Sequence, residues 1–146
     1  MRRNVARPKQ SGFTLIEIMV VVVILGILGA LVVPKIMSRP DQAKVTVARS
    51  DIASIKTALE MYKLDNHNYP STDQGLEALV SKPSGQPEAR NWNPDGYLEK
   101  IPVDPWGRPY QFQAPGNHGK FDLYSLGADG KKGGEGFDTD ITSWES

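Results

Sequence analysis

The chain opens on a short basic stretch and turns almost wholly apolar from Phe13 to Val33. It then stays polar, with patches of periodic hydrophobicity, to its end. Only Thr14 and Glu17 interrupt the apolar run. At about 1.5 Å rise per residue, some 20 helical residues cross the hydrocarbon core of a bilayer, so this run predicts a membrane-spanning helix. Arg2, Arg3, Arg7 and Lys9 precede it. A positive flank stays cytoplasmic, which puts everything after Pro34 on the far side. A second pattern runs from about Asp41 to Leu64. There Ala48, Ile52, Ile55, Leu59 and Tyr62 recur at spacings of three and four and form one apolar stripe, with Lys44, Arg49, Lys56, Glu60 and Lys63 largely off it. This predicts an amphipathic helix. Pro34 removes a helical hydrogen bond, and so marks either a flexible point or the membrane boundary.

Beyond Leu64 the punctuation changes. Asp65 to Pro70 reads as a turn-rich helix exit, and Ser71, Thr72 and Asp73 are candidate N-caps for a short helix through Val80. A Pro/Gly/Asn-rich loop follows from Lys82 to about Gly96. Tyr110–Phe112 and Phe121–Leu126 alternate as half-buried strands, joined by a turn from Ala114 to Gly119. The pattern predicts an α+β fold: a long N-terminal helix, half membrane-spanning and half amphipathic, packed on a small antiparallel sheet.

Charge and composition narrow the function. The formal net charge is zero, which argues against nucleic acid as a partner. There is no cysteine among the 146 residues, so thiolate catalysis, zinc–thiolate and iron–sulfur sites are excluded. With the apolar run set aside, about 110 residues remain for one small core. No staple by disulfide is available to it, which leaves a metal or an oligomer contact.

Glu17 is the residue that needs explaining. A lone carboxylate within an apolar helix costs a few kcal/mol unless it finds a partner. A secretory signal peptide fits poorly, because the apolar run is too long and no small-x-small site follows it closely. A plain signal anchor leaves Glu17 unexplained. If the chain is cut after Gly12, Phe13 gains an α-amino group one helical turn from Glu17, in its own subunit or a neighbour. Pairing the two charges offsets their burial.

Gly12-Phe13-Thr14-Leu15-Ile16-Glu17 resembles the class III signal of type IV pilins and type II secretion pseudopilins. Two further stretches, Asp104-Pro105-Trp106-Gly107-Arg108-Pro109-Tyr110 and Tyr69-Pro70 through Gln74-Gly75-Leu76-Glu77-Ala78-Leu79, are similar to segments of the major pseudopilins. The resemblance implies that residues 1–12 are a leader removed by a prepilin peptidase, which also N-methylates Phe13. It implies that 13–34 are a membrane and filament-core helix, with Gly26 and Gly29 allowing close packing, and that 35–146 are a periplasmic pilin-like domain. Glu17 would neutralise a neighbour's N-terminus during assembly. The implied partners are further copies of the chain in a filament, the peptidase, minor pseudopilins and an inner-membrane assembly platform.

One loop carries candidate metal chemistry. Leu126 to Ile141 holds Asp129, Glu135, Asp138 and Asp140 among many glycines. Calcium takes six to eight oxygens from flexible loops, backbone carbonyls included. Composition alone leaves this reading level with that of a solvated turn. The resemblance implies one structural Ca²⁺ here, with Asp129 and Asp140 matching best, Asp138 as a third ligand and the Leu126 carbonyl as a backbone ligand. His67 and His118 do not form a metal pair by spacing, and no catalytic set stands out. Two other readings remain open at this point: a type IV pilus subunit, and a single-pass anchored periplasmic enzyme.

Overall fold

The computed structural model describes Lys9 and residues 11–145, with side chains placed outside 32–39. The expected basic flank of Arg2, Arg3 and Arg7 lies outside the described residues, as do the side chains of Val33 and Pro34. The chain divides into two compact units, one ending at Arg39 and one beginning at Pro40.

A single helix, α1 (Leu15–Asn66), runs for 52 residues. It is the expected long N-terminal helix, and it is assigned through Pro34, the expected flexible point or membrane boundary, and through Pro40. Each proline deletes one hydrogen bond from the ladder, and the bonds on either side carry the helix across. In the first unit every described side chain from Leu15 to Leu31 is exposed. No helix among the described residues is long and apolar enough to cross a membrane. The described apolar surface stops at Leu31, short of the full run to Val33.

In the second unit α1 buries the expected stripe: Ala48, Ile52, Ile55, Leu59 and Tyr62 are each at most 5% exposed. They join one core with Leu76, Leu79, Ala89, Tyr110, Phe121, Leu123 and Ile141. The helix ends on Asn66, whose amide donates to the Tyr62 carbonyl (3.0 Å) and the Tyr97 hydroxyl (3.1 Å) while its carbonyl accepts from Asn91 N–H (3.1 Å). His67 then takes a positive φ of 66° and breaks the helix.

The short helix expected from Ser71–Asp73 to Val80 forms in two pieces. Ser71 and Gln74 make a reciprocal cap, Gln74 N–H to Ser71 Oγ (3.2 Å) and Ser71 N–H to Gln74 Oε1 (2.9 Å). Gly75 at φ 64° then turns the chain, and only Leu76–Leu79 wind as a 3₁₀ turn. Three antiparallel strands follow in the order β1 (Gln111–Gln113), β2 (Asp122–Ser125) and β3 (Ile141–Thr142), with Phe112 opposite Leu123 and Ser125 opposite Ile141. The first two strands sit within a residue of the expected ones, around the expected turn. The third was not expected.

That turn is held by Asp122. Its carboxylate accepts from Asn117 N–H (2.9 Å) and His118 N–H (3.0 Å) and lies 3.0 Å from His118 Nδ1. The His118 ring stacks flat on Trp144 at 4.1 Å. Burial pushes the Asp122 carboxyl up, but the His118 imidazole and the two amides outweigh it and hold it below the usual carboxylate range. A lowered folded value contributes stability that is present above the unfolded value near 4 and is lost as pH falls through the folded one. Asp122→Ala is therefore expected to cost about 1–3 kcal/mol at pH 7, through two stranded amides, and less at a pH well below the lowered folded value. Thermal unfolding at the two pH values checks this.

Candidate functional site

Two regions hold the residues singled out in the sequence: the start of α1 and the acidic loop after β2.

Gly12, Phe13 and Thr14 precede α1 in non-helical, exposed chain, and Phe13 is 86% exposed. A side chain added at Gly12 would meet nothing within 4 Å. An open, exposed segment suits cleavage by a peptidase. Thr14 and Glu17 then form a capping box. Glu17 N–H donates to Thr14 Oγ1 (3.3 Å), and Thr14 N–H donates to Glu17 Oε2 (3.2 Å). The Glu17 carboxylate therefore already points back at the helix N-terminus, one residue from the nitrogen that a cut after Gly12 would free. The capping role of Thr14 was not read from the sequence, although Thr-x-x-Glu ahead of an apolar run is the signature of this cap. An anion at this end also meets the positive end of the helix dipole.

In the acidic loop, the Asp129 carboxylate accepts from Lys131 N–H (3.0 Å), and Asp140 Oδ2 accepts from Gly133 N–H (3.0 Å). Asp140 Oδ1 is buried without a hydrogen-bond partner. Asp138 and Asp129 are exposed, and Leu126 is half-buried. Among the described residues, no three His, Asp or Glu side chains converge where a metal could sit. The backbone is drawn together more tightly than the carboxylates. Ala128 N–H bonds the Phe137 carbonyl (3.1 Å), and a Cβ at Gly127, whose φ is 67°, would sit 2.8 Å from the Thr139 carbonyl oxygen and 3.0 Å from that of Asp138. Only glycine accepts both the conformation and the crowding.

The loop is anchored to the Asp-Pro-Trp-Gly segment by a network that the sequence reading missed. Asp104, 3% exposed, accepts from the amides of Trp106 (3.1 Å) and Arg108 (2.8 Å) and from Ser125 Oγ (2.8 Å). Ser125 Oγ accepts in turn from Gly127 N–H (3.3 Å). Arg108 donates to the Gly127 carbonyl (3.0 Å), and its guanidinium fills the space where a Gly130 side chain would be. The motif thus works as a latch: its carboxylate fixes the end of β2 and its arginine pins the loop. Asp104→Ala should cost about 3 kcal/mol by stranding these donors, and Asp104→Asn should recover part of that loss. Urea unfolding of the variants measures both.

Residues 35–144 match the family model described as type II secretion system (T2SS), protein G, and residues 7–33 match the prokaryotic N-terminal methylation motif. The chain is 72% identical over 140 residues to the type II secretion system core protein G of Pseudomonas aeruginosa, covering 96% of this chain and 99% of the relative. It is 54% identical over 136 residues to the protein of the same name from Vibrio cholerae, covering 93% and 92%. The crystal structure of the major pseudopilin from the type 2 secretion system of enterohaemorrhagic Escherichia coli superposes with a TM-score of 0.67 at 46% identity, over 77% of this chain and 96% of that one. These matches favour a secretion pseudopilin over a type IV pilus subunit. The long helix, the small antiparallel sheet and the methylation motif ahead of them agree with that: the chain belongs to the type II secretion system protein G family, the major pseudopilins.

Proposed function

We propose that the chain is cut between Gly12 and Phe13 by a prepilin peptidase and N-methylated at Phe13. A single pass then holds it in the inner membrane until it enters a periplasmic filament. As a family member it is a structural subunit of the pseudopilus, a membrane-anchored periplasmic protein that serves protein export. The reading extends this to partners: other copies of the chain, minor pseudopilins and an inner-membrane platform. It assigns the chain no catalysis of its own. The observation that carries it is the Glu17 carboxylate capping the helix end beside Phe13. The positive charge released by the cut meets a carboxylate already in place, in the same subunit or in one packed alongside. The test is secretion. Deleting the gene should leave folded exoproteins in the periplasm, and the wild-type chain should restore their export while Gly12→Val, which blocks the cut, should not. Normal export without the chain would contradict the proposal.

The same reading places a structural Ca²⁺ in the acidic loop, held by Asp129, Asp138, Asp140 and the Leu126 carbonyl. The donor set suits a hard cation. The buried, unpartnered Asp140 Oδ1 and the glycine-lined, carbonyl-rich backbone fit a bound ion. Calcium would offset the repulsion among the carboxylates, while Arg108 and Ser125 hold the loop to the sheet.

A further inference from the structure

The Arg108 side chain is half-buried and lodges against the acidic loop. Among the described residues, the ion pairs within 4 Å are Arg90–Glu88 and His118–Asp122, so no carboxylate stands that close to the guanidinium. What it meets instead is backbone. Its Nη1 donates to the Gly127 carbonyl (3.0 Å), and a Cβ on Gly130 would collide with its Cζ and Nε. Gly127 follows Leu126 and Gly130 follows Asp129, and Leu126 and Asp129 are two of the four ligands proposed for the ion. The guanidinium therefore sits beside both ligand-bearing stretches. The backbone N–H of Arg108 donates to Asp104 Oδ1 (2.8 Å), so the side chain starts from an anchored point.

A residue so placed acts on a bound cation in two opposite ways. Its hydrogen bond steadies the Gly127 peptide and favours binding, while its fixed positive charge repels the ion and disfavours binding. The other ties around Gly127 decide which effect is larger. Gly127 N–H donates to Ser125 Oγ (3.3 Å) and Ala128 N–H to the Phe137 carbonyl (3.1 Å), both independently of the guanidinium. The Leu126 carbonyl shares a planar peptide with that Gly127 N–H, so Ser125 sets its direction. The backbone thus stays held without the arginine side chain, whereas no carboxylate among the described residues stands within 4 Å to balance its charge. Lys131 and Lys132 lie in the same loop, but both are exposed, and solvent and salt screen them. The half-buried Arg108 is screened less.

We infer that Arg108 sets the affinity of the loop for calcium, as a built-in cation that weakens binding. The inference rests on the calcium reading and deepens it. A site weakened in this way fills only where free calcium is high, in the manner of extracellular modules with dissociation constants of about 10⁻⁴–10⁻³ M. The stability that the ion brings to the subunit then depends on the calcium level around it.

The test is calorimetric titration of the purified full-length chain, in detergent, with Ca²⁺. Arg108→Gln and Arg108→Met both remove the charge, the first keeping a donor and the second none. Arg108→Lys keeps the charge and loses the planar fork. Cooperative unfolding in chelator confirms that each variant folds. Both neutral variants should bind calcium about tenfold more tightly than the wild type, and Arg108→Lys should stay within about twofold of it. The gain in Arg108→Gln should shrink as salt is raised, which a purely structural role would not produce. Asp140→Ala should abolish binding in the wild-type and Arg108→Gln backgrounds alike, which locates the gain in this loop. Neutral variants that bind no more tightly than the wild type, or an Arg108→Lys that gains as much as they do, overturn the inference and leave the ion in place. A wild-type chain that binds no calcium overturns both.

Discussion

Glu17→Ala is expected to be inserted and processed normally and to assemble at least about a hundredfold less well, since removing one partner from a buried charge pair costs about 3–5 kcal/mol. Two roles must be separated. In the uncut chain Glu17 caps its own helix through Thr14 N–H (3.2 Å), and a cap is worth about 1 kcal/mol. In the proposed mature subunit it would also face the ammonium of Phe13. Thr14→Val removes half of the capping box, the Glu17 N–H to Thr14 Oγ1 bond, and keeps the carboxylate. It should assemble nearly as well as the wild type. If the two variants assemble equally poorly, helix capping explains the requirement and charge pairing does not. Glu17→Gln, which keeps the shape and loses the charge, should resemble Glu17→Ala. The readout is filament yield at equal amounts of processed chain.

Calcium removal is the second large expected effect. At a free concentration about a hundredfold above its dissociation constant, an ion bound only to the folded state adds about 2.7 kcal/mol. For a domain of this size that is a fall in unfolding temperature of roughly 10 °C on chelation. Asp140→Ala should abolish the calcium-dependent rise. In chelator it should cost little, because Asp140 Oδ1 has no partner to lose and only the Gly133 N–H contact is broken. Unfolding scans of wild type and variant, with calcium and with chelator, separate the cases. Equal losses in both conditions would return Asp140 to a loop-structuring role and remove the ion from the account.

What could be read in the sequence were features with a local period or a local spelling. The apolar run and the Ala48–Tyr62 stripe follow helical periodicity, and the stripe is buried residue for residue. The turn between β1 and β2 is spelled by Pro115, Gly116, Asn117 and Gly119, and it appears where expected. The elements that escaped depend on partners distant in the chain. Ile141–Thr142 is too short to alternate, and it becomes a strand only because β2 offers Ser125 and Tyr124 beside it. Asp104 looks like one more turn aspartate until Ser125, 21 residues on, is folded against it. The leader, the cut and the calcium ligands rest on resemblance to relatives that spell the same motifs.

The most direct measurement isolates filaments from cells that overproduce the chain beside its secretion machinery and determines the N-terminus of their subunit by mass spectrometry. The account predicts filaments built of this chain, beginning at N-methylated Phe13. Filaments that lack the chain, or a chain that keeps residues 1–12 and stays unassembled, would contradict it.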